Sequence, residues 1–340
     1  MIQLQTNVDL QPYNSFAIAE CAERLVWVER DAELIEALDL AAEHGWPVTL
    51  LGGGSNLVLA GPVPGLVIGM RSRGRRLLSR ADGFAVIEAE AGENWHALVN
   101  WSLDLGLSGL ENLALIPGTV GAAPVQNIGA YGVELCERFD SLEAWDRQQR
   151  RYCRLDARQC RFAYRDSLFK QEPGRYVILR VRLRLPTQPD LRIDYAPLAA
   201  AWTATGLSRP DSRVVAELVC AIRRSKLPDP AVLGNAGSFF KNPLVEAEQA
   251  QALLLRFPGM PHYPQADGRC KLAAGWLIDR AGWKGRRQGA VGVHAEQALV
   301  LVNHGGARGA EVLALAEAIQ ADIQQQFGVR LEMEPQRLGD

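Results

Sequence analysis

An uncharged, glycine-rich segment runs from Leu115 to Gly132 and reads Leu-Ile-Pro-Gly-Thr-Val-Gly-Ala-Ala-Pro-Val-Gln-Asn-Ile-Gly-Ala-Tyr-Gly. It contains four glycines and no Asp, Glu, Lys or Arg. A glycine has no Cβ and tolerates positive φ, so the backbone of such a segment can approach another surface closely. We therefore expect this segment to lie against a large, flat ligand.

A second glycine cluster lies upstream, where the short apolar run Val48–Leu51 is followed by Gly-Gly-Gly-Ser-Asn at positions 52–56 and then by Leu57–Leu59. A strand that ends in consecutive glycines presents several N–H groups at one turn, and such a turn can hold a phosphate. Neither G-x-G-x-x-G nor G-x-x-x-x-G-K-[ST] occurs, so the sequence does not support an ordinary Rossmann site or P-loop. From composition alone, a flexible hairpin turn and a plain loop explain the two segments equally well.

The bulk composition excludes several classes of protein. A chain of 340 residues exceeds the size of a single core, so we expect two or three domains. The net charge of -2, with both signs interspersed, argues against nucleic acid as a partner, and we expect the basic run Arg71–Arg76, with a turn at Gly74, to be a solvated loop. The first residues lack the pattern of a signal peptide and no apolar run reaches the length of a membrane span, which predicts a cytoplasmic protein without a membrane partner.

The cysteines and histidines give no support for a metal site. Six cysteines are scattered without a C-x-x-C pair, as expected of reduced thiols, and five histidines are dispersed without H-E-x-x-H. His294 lies among apolar residues and is interpreted as a structural histidine.

The hydrophobic patterns predict an α+β protein. Asp31 is the predicted N-cap of a helix over residues 32–44 that ends at Gly45, and a second helix is predicted from Asn94 to Leu105. Further predicted elements are listed here: a strand over 176–185 with its arginines on a wet face, a helix over 212–225, a C-terminal helix capped by Gly328, and a final strand over 329–334.

Five sequence blocks together resemble one known family. They are Gly52–Asn56, the run from Pro117 to Gly132, Tyr-Arg-Asp-Ser at 164–167, Lys-Leu-Pro-Asp-Pro at 226–230, and Gly-Ser-Phe-Phe-Lys-Asn-Pro at 237–243. In this order, over nearly the whole chain, they are similar to the UDP-N-acetylenolpyruvoylglucosamine reductases, also called UDP-N-acetylmuramate dehydrogenases. A segment around Tyr195 resembles a loop of the longer, type I branch of that family.

The resemblance implies a fold and a reaction. The fold is an α+β, FAD-binding fold of the vanillyl-alcohol-oxidase (PCMH) type with two subdomains, followed by a separate α+β substrate domain. The reaction uses NADPH and non-covalent FAD to reduce UDP-N-acetylglucosamine enolpyruvate to UDP-N-acetylmuramate, in a monomeric enzyme. The resemblance also implies a division of the chain. FAD-binding subdomains would cover residues 1–66 and 67–211, a UDP-sugar domain would cover 212–328, and a terminal strand over 329–340 would return to the active site.

The resemblance also assigns site residues. The FAD contacts would be Gly52, Gly53, Gly54, Ser55, Asn56, Pro117, Gly118, Thr119, Gly121, Ala122 and Ile128. The substrate contacts would be Tyr131, Tyr164, Tyr195, Lys226, Asn242, Lys284 and Gln297.

Three residues would carry the chemistry. Ser238 would donate a proton to C2 of the substrate, with the two phenylalanines that follow it expected to exclude water. Arg165 would hold the substrate carboxylate bidentately, where the alternative is a surface ion pair with Asp166. Glu334 would act at the same centre, either protonated or bridged by the arginine. Met333 stands where the family usually has proline, and the family's next arginine is displaced by one position to Arg337.

Two other functions fit parts of the pattern. One is a flavin-dependent oxidase of a small sugar or hydroxy acid, which the diphosphate-binding residues and the lack of a covalent-linkage residue disfavour. The other is a nucleotide-sugar binding protein without catalysis, which would have no use for Arg165, Ser238 and Glu334 together.

Overall fold

The computed structural model describes residues 2–209 and 211–339. Over these residues the helices are α1 Asp31–Glu43, α2 Trp95–Asp104, α3 Leu168–Gln171, α4 Ala196–Ala204, α5 Ser212–Lys226, α6 Ala247–Arg256, α7 Ala274–Arg280 and α8 Gly309–Phe327. Four short 3-10 helices cover Gln11–Tyr13, Glu111–Leu113, Val120–Ala122 and Leu135–Glu137.

The strands are numbered in chain order. They are β1 Gln5–Asp9, β2 Cys21–Val28, β3 Val48–Leu51, β4 Leu57–Leu59, β5 Val63–Met70, β6 Arg75–Ala81, β7 Phe84–Glu90, β8 Gly129–Ala130, β9 Val133–Glu134, β10 Phe139–Asp146, β11 Arg151–Asp156, β12 Tyr176–Pro186, β13 Gly234–Ser238, β14 Leu244–Val245, β15 His262–Pro264, β16 Cys270–Leu272, β17 Arg287–Gln288, β18 Val291–Val293, β19 Val300–Asn303 and β20 Gln336–Leu338.

The chain forms two compact units. The first comprises residues up to Val8, Ala22–Gly53 and Pro64–Ser225, and the second comprises Asp9–Cys21, Gly54–Val63 and the residues from Lys226 onward. The chain thus passes from one unit to the other within the first glycine cluster. The four-part division expected from the resemblance remains a prediction.

The first unit contains two main sheets. One has the strand order β1-β2-β5-β3, and the other has the antiparallel order β11-β10-β12-β7-β6. Strand β12 serves two cores, because Val177 and Leu179 pack with α1 whereas Val181 and Leu183 pack with α2 and the glycine-rich segment. This packing holds the segment against the five-stranded sheet.

The second unit is built from short strands and α6–α8. Its sheets have the orders β13-β19-β18-β17 and β14-β16-β15, and β20 pairs in parallel with β4. Helix α8 begins against β4 so tightly that a Cβ on Gly309 would lie 1.7 Å from the Leu59 carbonyl oxygen. The Asn303 side chain secures β19, because its Nδ2 donates to the carbonyl oxygen of Phe16 at 2.8 Å.

Several predicted elements are confirmed. Helix α2 has Asn94 as its N-cap, whose side chain accepts the Ala97 N–H at 2.9 Å, and Gly106 follows with a φ of 70°. Helix α5 begins at the predicted Ser212, and Gly328 caps α8 in the left-handed conformation.

Four predictions about local structure were wrong in whole or in part, and the first two concern α1 and the basic run. Arg30, not Asp31, is the N-cap of α1, because Glu33 accepts the backbone N–H of Arg30 while Asp31 forms an ion pair with Arg180. The run expected to be a solvated loop is only partly a loop, since β6 begins at Arg75 and pairs with β7.

The arginines of β12 do not form a simple wet face. Arg180 pairs with Asp31, Glu90 and Glu143, and Arg182 pairs with Glu88 and Glu143. The alternation of apolar residues and arginines along β12 predicted which face carries the arginines. Carboxylates of α1, β7 and β10 pair with Arg180 and Arg182 on that face.

The expected final strand over 329–334 is irregular. Only an isolated bridge, between Met333 and Phe240, lies within it, and the regular strand β20 begins after Pro335. Proline lacks an N–H and cannot continue a ladder, so regular pairing resumes beyond it.

Candidate active site

The two glycine-rich segments meet in the first unit. A Cβ on Gly53 would lie 2.7 Å from the Cα of Gly118, and a Cβ on Gly52 would lie 2.8 Å from the Thr119 hydroxyl oxygen. Only glycine fits a backbone-to-backbone approach this close. The structure therefore brings together the two segments that the sequence singled out.

Backbone hydrogen bonds fix the longer segment. The Gly118 carbonyl accepts the Trp95 N–H at 3.1 Å, and the Gly121 N–H donates to the Ala91 carbonyl at 2.8 Å. Ala122 follows in the short helix after Thr119, and Ile128 packs against the core. Trp95 and Ala91 flank the start of α2, so the helix holds the segment in place.

Asn127 is a structural residue of this region that the sequence did not identify. Its side chain is fully buried; Oδ1 accepts the Cys136 N–H at 3.0 Å, and Nδ2 donates to the Ala163 carbonyl at 3.1 Å. It thereby ties the glycine-rich segment to the chain just before Arg165.

Of the nine described non-glycine residues with positive φ, four lie in this region. Positive φ occurs at Leu115 (59°), Asn127 (44°), Tyr131 (49°) and Arg165 (54°). Non-glycine residues rarely adopt these angles, and where they cluster they commonly mark functional sites.

Arg165 lies over the end of the glycine-rich segment. Its Nη2 donates to the Gly129 carbonyl at 2.7 Å, and its guanidinium lies 5.3 Å from the centre of the Tyr164 ring. The neighbouring Asp166 carboxylate accepts hydrogen bonds from the Gln171 amide and the Ser167 N–H, both at 2.9 Å.

Ser238 is exposed at the end of β13, between a glycine at φ 70° and two buried rings. Phe239 and Phe240 are 0% and 1% exposed, and the Phe239 ring packs edge-on against Phe16 at 6.0 Å. The phenylalanines, which were expected to exclude water from the serine, belong to the core of the second unit. Their burial anchors the turn and leaves the Ser238 side chain at the surface of this unit.

Glu334 lies beside this turn. Its N–H donates to the Phe239 carbonyl at 2.8 Å, and the Lys241 N–H donates to the Glu332 carbonyl at 3.0 Å. Glu332 is exposed and its carboxylate pairs with Lys241 at 2.9 Å, whereas Glu334 is half-buried. The second unit thus brings Ser238 and Glu334 together.

Asn56, from the first glycine cluster, also contacts the C-terminal segment. Its Nδ2 donates to the Glu334 carbonyl at 3.3 Å, and its own carbonyl accepts the Gln336 N–H at 3.0 Å. Gly54 is similarly enclosed, since a Cβ there would lie 1.9 Å from the Tyr13 carbonyl oxygen. These hydrogen bonds fix the C-terminal segment next to the glycine cluster.

Tyr131 and Tyr195 form a ring pair in the first unit, edge-on with centroids 5.5 Å apart. Asn112 holds both surrounding segments, because its Nδ2 donates to the carbonyls of Tyr131 and Arg192 at 2.9 and 2.7 Å. Burial raises the pKa of Tyr131, so its hydroxyl stays protonated. The pair therefore offers two aromatic rings and a phenolic donor.

Two of the remaining predicted substrate residues converge on the start of α7. The Asn242 Oδ1 accepts the Ala274 N–H at 3.0 Å, and the Gln297 Oε1 lies 3.5 Å from the position of a Cβ on Gly275. Lys284 is exposed after this helix, with its Nζ 3.6 Å from an Asp279 carboxylate oxygen. Lys226 ends α5 and is exposed.

The contact between the glycine segments suits a dinucleotide cofactor. Side chains are absent where Gly53 meets Gly118, so main-chain groups form this surface. Backbone N–H groups at such turns bind phosphate oxygens. The residues present therefore fit FAD bound through its pyrophosphate.

Comparisons with known proteins give the family. The chain is 60% identical to the UDP-N-acetylenolpyruvoylglucosamine reductase of Pseudomonas aeruginosa, and the match covers 98% of each chain. It is 56% identical to the reductase of Bordetella pertussis, over 96% of this chain and 93% of that one. The chain belongs to the UDP-N-acetylenolpyruvoylglucosamine reductase family. The family's C-terminal domain matches residues 229–338, and an FAD binding domain matches residues 22–149.

A solved member of the reductase family has the same fold. The crystal structure of the UDP-N-acetylenolpyruvylglucosamine reductase from Thermus caldophilus is 25% identical, with a TM-score of 0.69, over 99% of this chain and 100% of that one. The predicted family, the α+β FAD-binding fold and the FAD cofactor are thereby confirmed. The individual site residues remain predictions.

Other features complete the description of this reductase. In the part of the chain that the structure describes, no group of His, Cys, Asp or Glu side chains could hold a metal ion. None of the described helices is both long and apolar enough to cross a membrane. The six cysteines are free thiols.

Sequence reasoning did not single out Arg223 on α5, a half-buried residue whose Nε is buried. The apolar face of this helix includes Val215, Val219 and Cys220, and Arg223 follows four and three residues after the last two. That spacing places it on the buried face. An arginine at a position where the helical period calls for an apolar residue was the available signal.

Proposed function

We propose that Ser238, Arg165 and Glu334 carry the reaction of this family in the present chain. As a family member, the chain is an FAD-dependent oxidoreductase that reduces UDP-N-acetylglucosamine enolpyruvate to UDP-N-acetylmuramate with NADPH. This reaction supplies the peptidoglycan precursor used in cell-wall biogenesis, cell shape and division. The observation that carries the assignment is the full-length similarity to the reductases, together with an exposed Ser238 beside Glu334.

The chemistry sets what the residues must do. FAD held by the two glycine segments would supply the transfer of hydride from NADPH to C3 of the enolpyruvyl group. Negative charge then develops at C2 and in the adjacent carboxylate, and a proton must reach C2 to complete the lactyl ether. The chain must therefore supply a stabilising cation and a proton donor.

Ser238 is the proposed donor of that proton. Ser238 is an exposed residue, while the two buried phenylalanines that follow fix the backbone of the turn. A fixed backbone lets a small hydroxyl be presented in one orientation, which proton transfer requires. The positive φ of Gly237 makes the turn possible.

Arg165 is the proposed ligand of the substrate carboxylate. A planar guanidinium binds a carboxylate through two hydrogen bonds, and this interaction strengthens as enolate charge develops. The hydrogen bond to the Gly129 carbonyl and the positive φ of Arg165 support a fixed orientation.

Glu334 is proposed to act next to Ser238. The Glu334 N–H donates to the carbonyl of Phe239, the residue that follows Ser238. Glu334 therefore lies next to the turn that carries the serine. It would orient the proton donor or replace it as the source of the proton.

The proposed contacts of the nucleotide part of the substrate are Lys226, Asn242, Lys284 and Gln297 in the second unit, and Tyr131, Tyr164 and Tyr195 in the first. Cations and amides are the groups that bind a diphosphate. The proposed FAD contacts are the residues of the two glycine segments, and the cofactor is held without a covalent link. We further propose a monomer that acts in the cytoplasm, with neither nucleic acid nor membrane as partner.

A steady-state assay tests the function. Purified protein with its FAD should oxidise NADPH beyond one equivalent per flavin only when UDP-N-acetylglucosamine enolpyruvate is present, and mass spectrometry should find a product heavier by two hydrogens. NADPH oxidation that proceeds at the same rate without this substrate, or a substrate recovered unchanged, would exclude the proposed reaction.

A further inference from the structure

The first unit contains an open cavity of about 400 Å³, and none of its lining residues is among those proposed for FAD or substrate. Its volume falls in the range of about 300–1,000 Å³ that is typical of small-molecule sites. Residues of α1, of the end of β10 with the turn that follows it, and of the link between α3 and β12 line the cavity.

The lining of this cavity is positively charged. Arg147, Arg150 and Arg175 contribute to it, and none of the lining residues, all of which the structure describes, is an Asp or a Glu. Carboxylates outside the lining pair with two of the arginines, Asp39 with Arg150 at 2.7 Å and Asp146 with Arg175 at 3.1 Å. A ligand in this cavity would therefore meet cations and no anion.

Arg147 differs from the other two arginines, because it forms no ion pair with a described residue. A guanidinium carries several N–H donors. The Arg147 Nη1 donates to the Gly174 carbonyl at 2.7 Å, and no other described residue accepts a hydrogen bond from this side chain. Burial lowers the pKa of Arg147, and no described carboxylate opposes this shift. Donors of a half-buried cation thus remain for an anion.

Hydrogen bonds fix the turn that carries Arg147. The Asp146 carboxylate is 2% exposed, and its Oδ1 accepts the N–H groups of Gln148 and Gln149 at 2.9 and 3.1 Å. The N–H of Arg147 itself donates to the Arg175 carbonyl at 2.9 Å. A wall that is already ordered loses little entropy when a ligand binds, so the cavity is preorganised.

The rest of the lining is apolar. Leu38 and Ala42 lie one helical turn apart on the same face of α1, and Trp145 and Pro173 complete this part. Leu38 and Trp145 belong to one hydrophobic cluster, so the apolar part is continuous with the core. An inorganic ion would leave this surface unused.

A planar guanidinium binds an oxyanion through paired hydrogen bonds. We propose that this cavity is a binding site for a small organic anion, whose carboxylate or phosphate group is held by Arg147 and whose apolar body packs on Leu38 and Trp145. This site is separate from the proposed reaction and does not depend on it.

Calorimetric titration of the FAD-loaded protein tests the ligand class. The probes are 2-naphthoate and 2-naphthyl phosphate, which have both parts, and 2-naphthol and inorganic phosphate, which each have one. At least one of the two organic anions should bind at least about 10-fold more tightly than 2-naphthol and inorganic phosphate, because only it uses both parts of the cavity. The tighter of the two shows whether the group is a carboxylate or a phosphate. Equal or absent binding of all four probes would overturn the inference.

Variants of Arg147 test the position of the bound anion. R147Q should weaken the better organic anion by about 10-fold to 100-fold, the loss of a hydrogen bond from a charged group. R147K should recover part of that loss, because lysine keeps the charge without the planar fork. R158Q removes an exposed arginine that does not line the cavity and is the control. Binding to R147Q as tight as to wild type would contradict the assignment.

A second variant keeps the test decisive if R147Q fails to fold. Ala42 is exposed on α1 and lines the cavity, so Ala42→Trp should fill it and weaken the same anion while the melting temperature changes little. Ala32→Trp places the same side chain at an exposed position of α1 that does not line the cavity, and it should bind as wild type does. Unchanged binding in a folded Ala42→Trp would place the anion elsewhere and overturn the inference.

Discussion

Substitution of Ser238 is expected to affect one of the two half-reactions and not the other. Reduction of the flavin by NADPH needs no proton at substrate C2, whereas completion of the lactyl ether does. Ser238→Ala should therefore leave the reductive half-reaction nearly intact and slow reoxidation by the enolpyruvyl substrate by about 10²-fold to 10⁴-fold.

Stopped-flow absorbance under anaerobic conditions measures both rates. Ser238→Cys should lie between wild type and alanine, and Ser225→Ala, which removes an exposed hydroxyl bonded to the Ile222 carbonyl, serves as the control. Reoxidation at the wild-type rate in Ser238→Ala would move the donor role to Glu334 or to water.

Lys284 and Tyr195 belong to the proposed diphosphate contacts. Lys284→Ala and Tyr195→Phe should raise the KM for UDP-N-acetylglucosamine enolpyruvate with little change in kcat, because a contact made equally in ground and transition states is lost. Tyr152→Phe is the matched control, since Tyr152 is 52% exposed and packs on Trp145. An equal loss in the rate of flavin reduction by NADPH would instead point to a shared or structural role.

For individual residues, the sequence predicted which positions belong to the candidate site but not which distant contacts fix each side chain. The turn at Ser238 followed from Gly237, yet the burial of both phenylalanines depends on Phe16, far away in the chain. Asn127 gave no local signal, because its buried bonds join segments about 9 and 36 residues apart along the chain.

The contact between the two glycine segments is the element on which FAD binding depends. Gly53→Val should lose FAD, because its side chain would collide with the Gly118 backbone, 2.7 Å from the position of a Cβ. The ratio of bound flavin to protein, read from absorbance, checks this. Gly259→Val is the control, since a Cβ there meets nothing within 4 Å; full flavin occupancy in Gly53→Val would remove this loop from the cofactor site.

The ion pairs of β12 make a pH-dependent contribution to stability. Burial opposes ionisation of Glu143, but Arg182 and Arg180 outweigh it and hold the pKa of Glu143 below its ordinary value. A lowered carboxyl pKa stabilises the fold above the unfolded pKa, and that contribution is lost as pH falls through the folded pKa. Glu143→Gln should therefore lower the melting temperature at pH 7, with the difference from wild type shrinking below about pH 4.

Melting temperatures measured from pH 7 to pH 3 check this dependence. Glu317→Gln, at an exposed position of α8 outside the β12 network, is the control for loss of one carboxylate. A difference between Glu143→Gln and wild type that stays constant over the range would show that the ion pairs add nothing to stability.

Elements with a strong hydrophobic periodicity were predictable from the sequence. Strands whose bounds depend on pairing with a distant segment were not. The apolar stripe of α8 and its Gly328 cap follow from local sequence. The C-terminal segment alternates like a strand over 329–334, but its hydrogen bonds go to Phe239 and Lys241 irregularly, and the ladder forms only at β20. Alternation indicates which face a residue occupies, and it does not identify the partner strand.

For the whole molecule, the order of the motifs along the chain gave more information about the family than the composition did. The glycine segments alone were compatible with a plain loop, while the five blocks together predicted the family that a 60% identical relative confirms. Composition could not predict where the chain passes between units, because residues 9–21 and 54–63 join the C-terminal unit through contacts distant in sequence.

The central claim is that this chain passes hydride from NADPH through FAD to an enolpyruvyl ether. The most direct measurement reduces the bound flavin with one equivalent of NADPH in the absence of oxygen, and then adds UDP-N-acetylglucosamine enolpyruvate while absorbance is followed. The account predicts rapid return of the oxidised flavin spectrum and formation of UDP-N-acetylmuramate in equal amount. A flavin that stays reduced after the substrate is added, but is reoxidised by oxygen and reduced by a small sugar or hydroxy acid, would contradict it in favour of an oxidase.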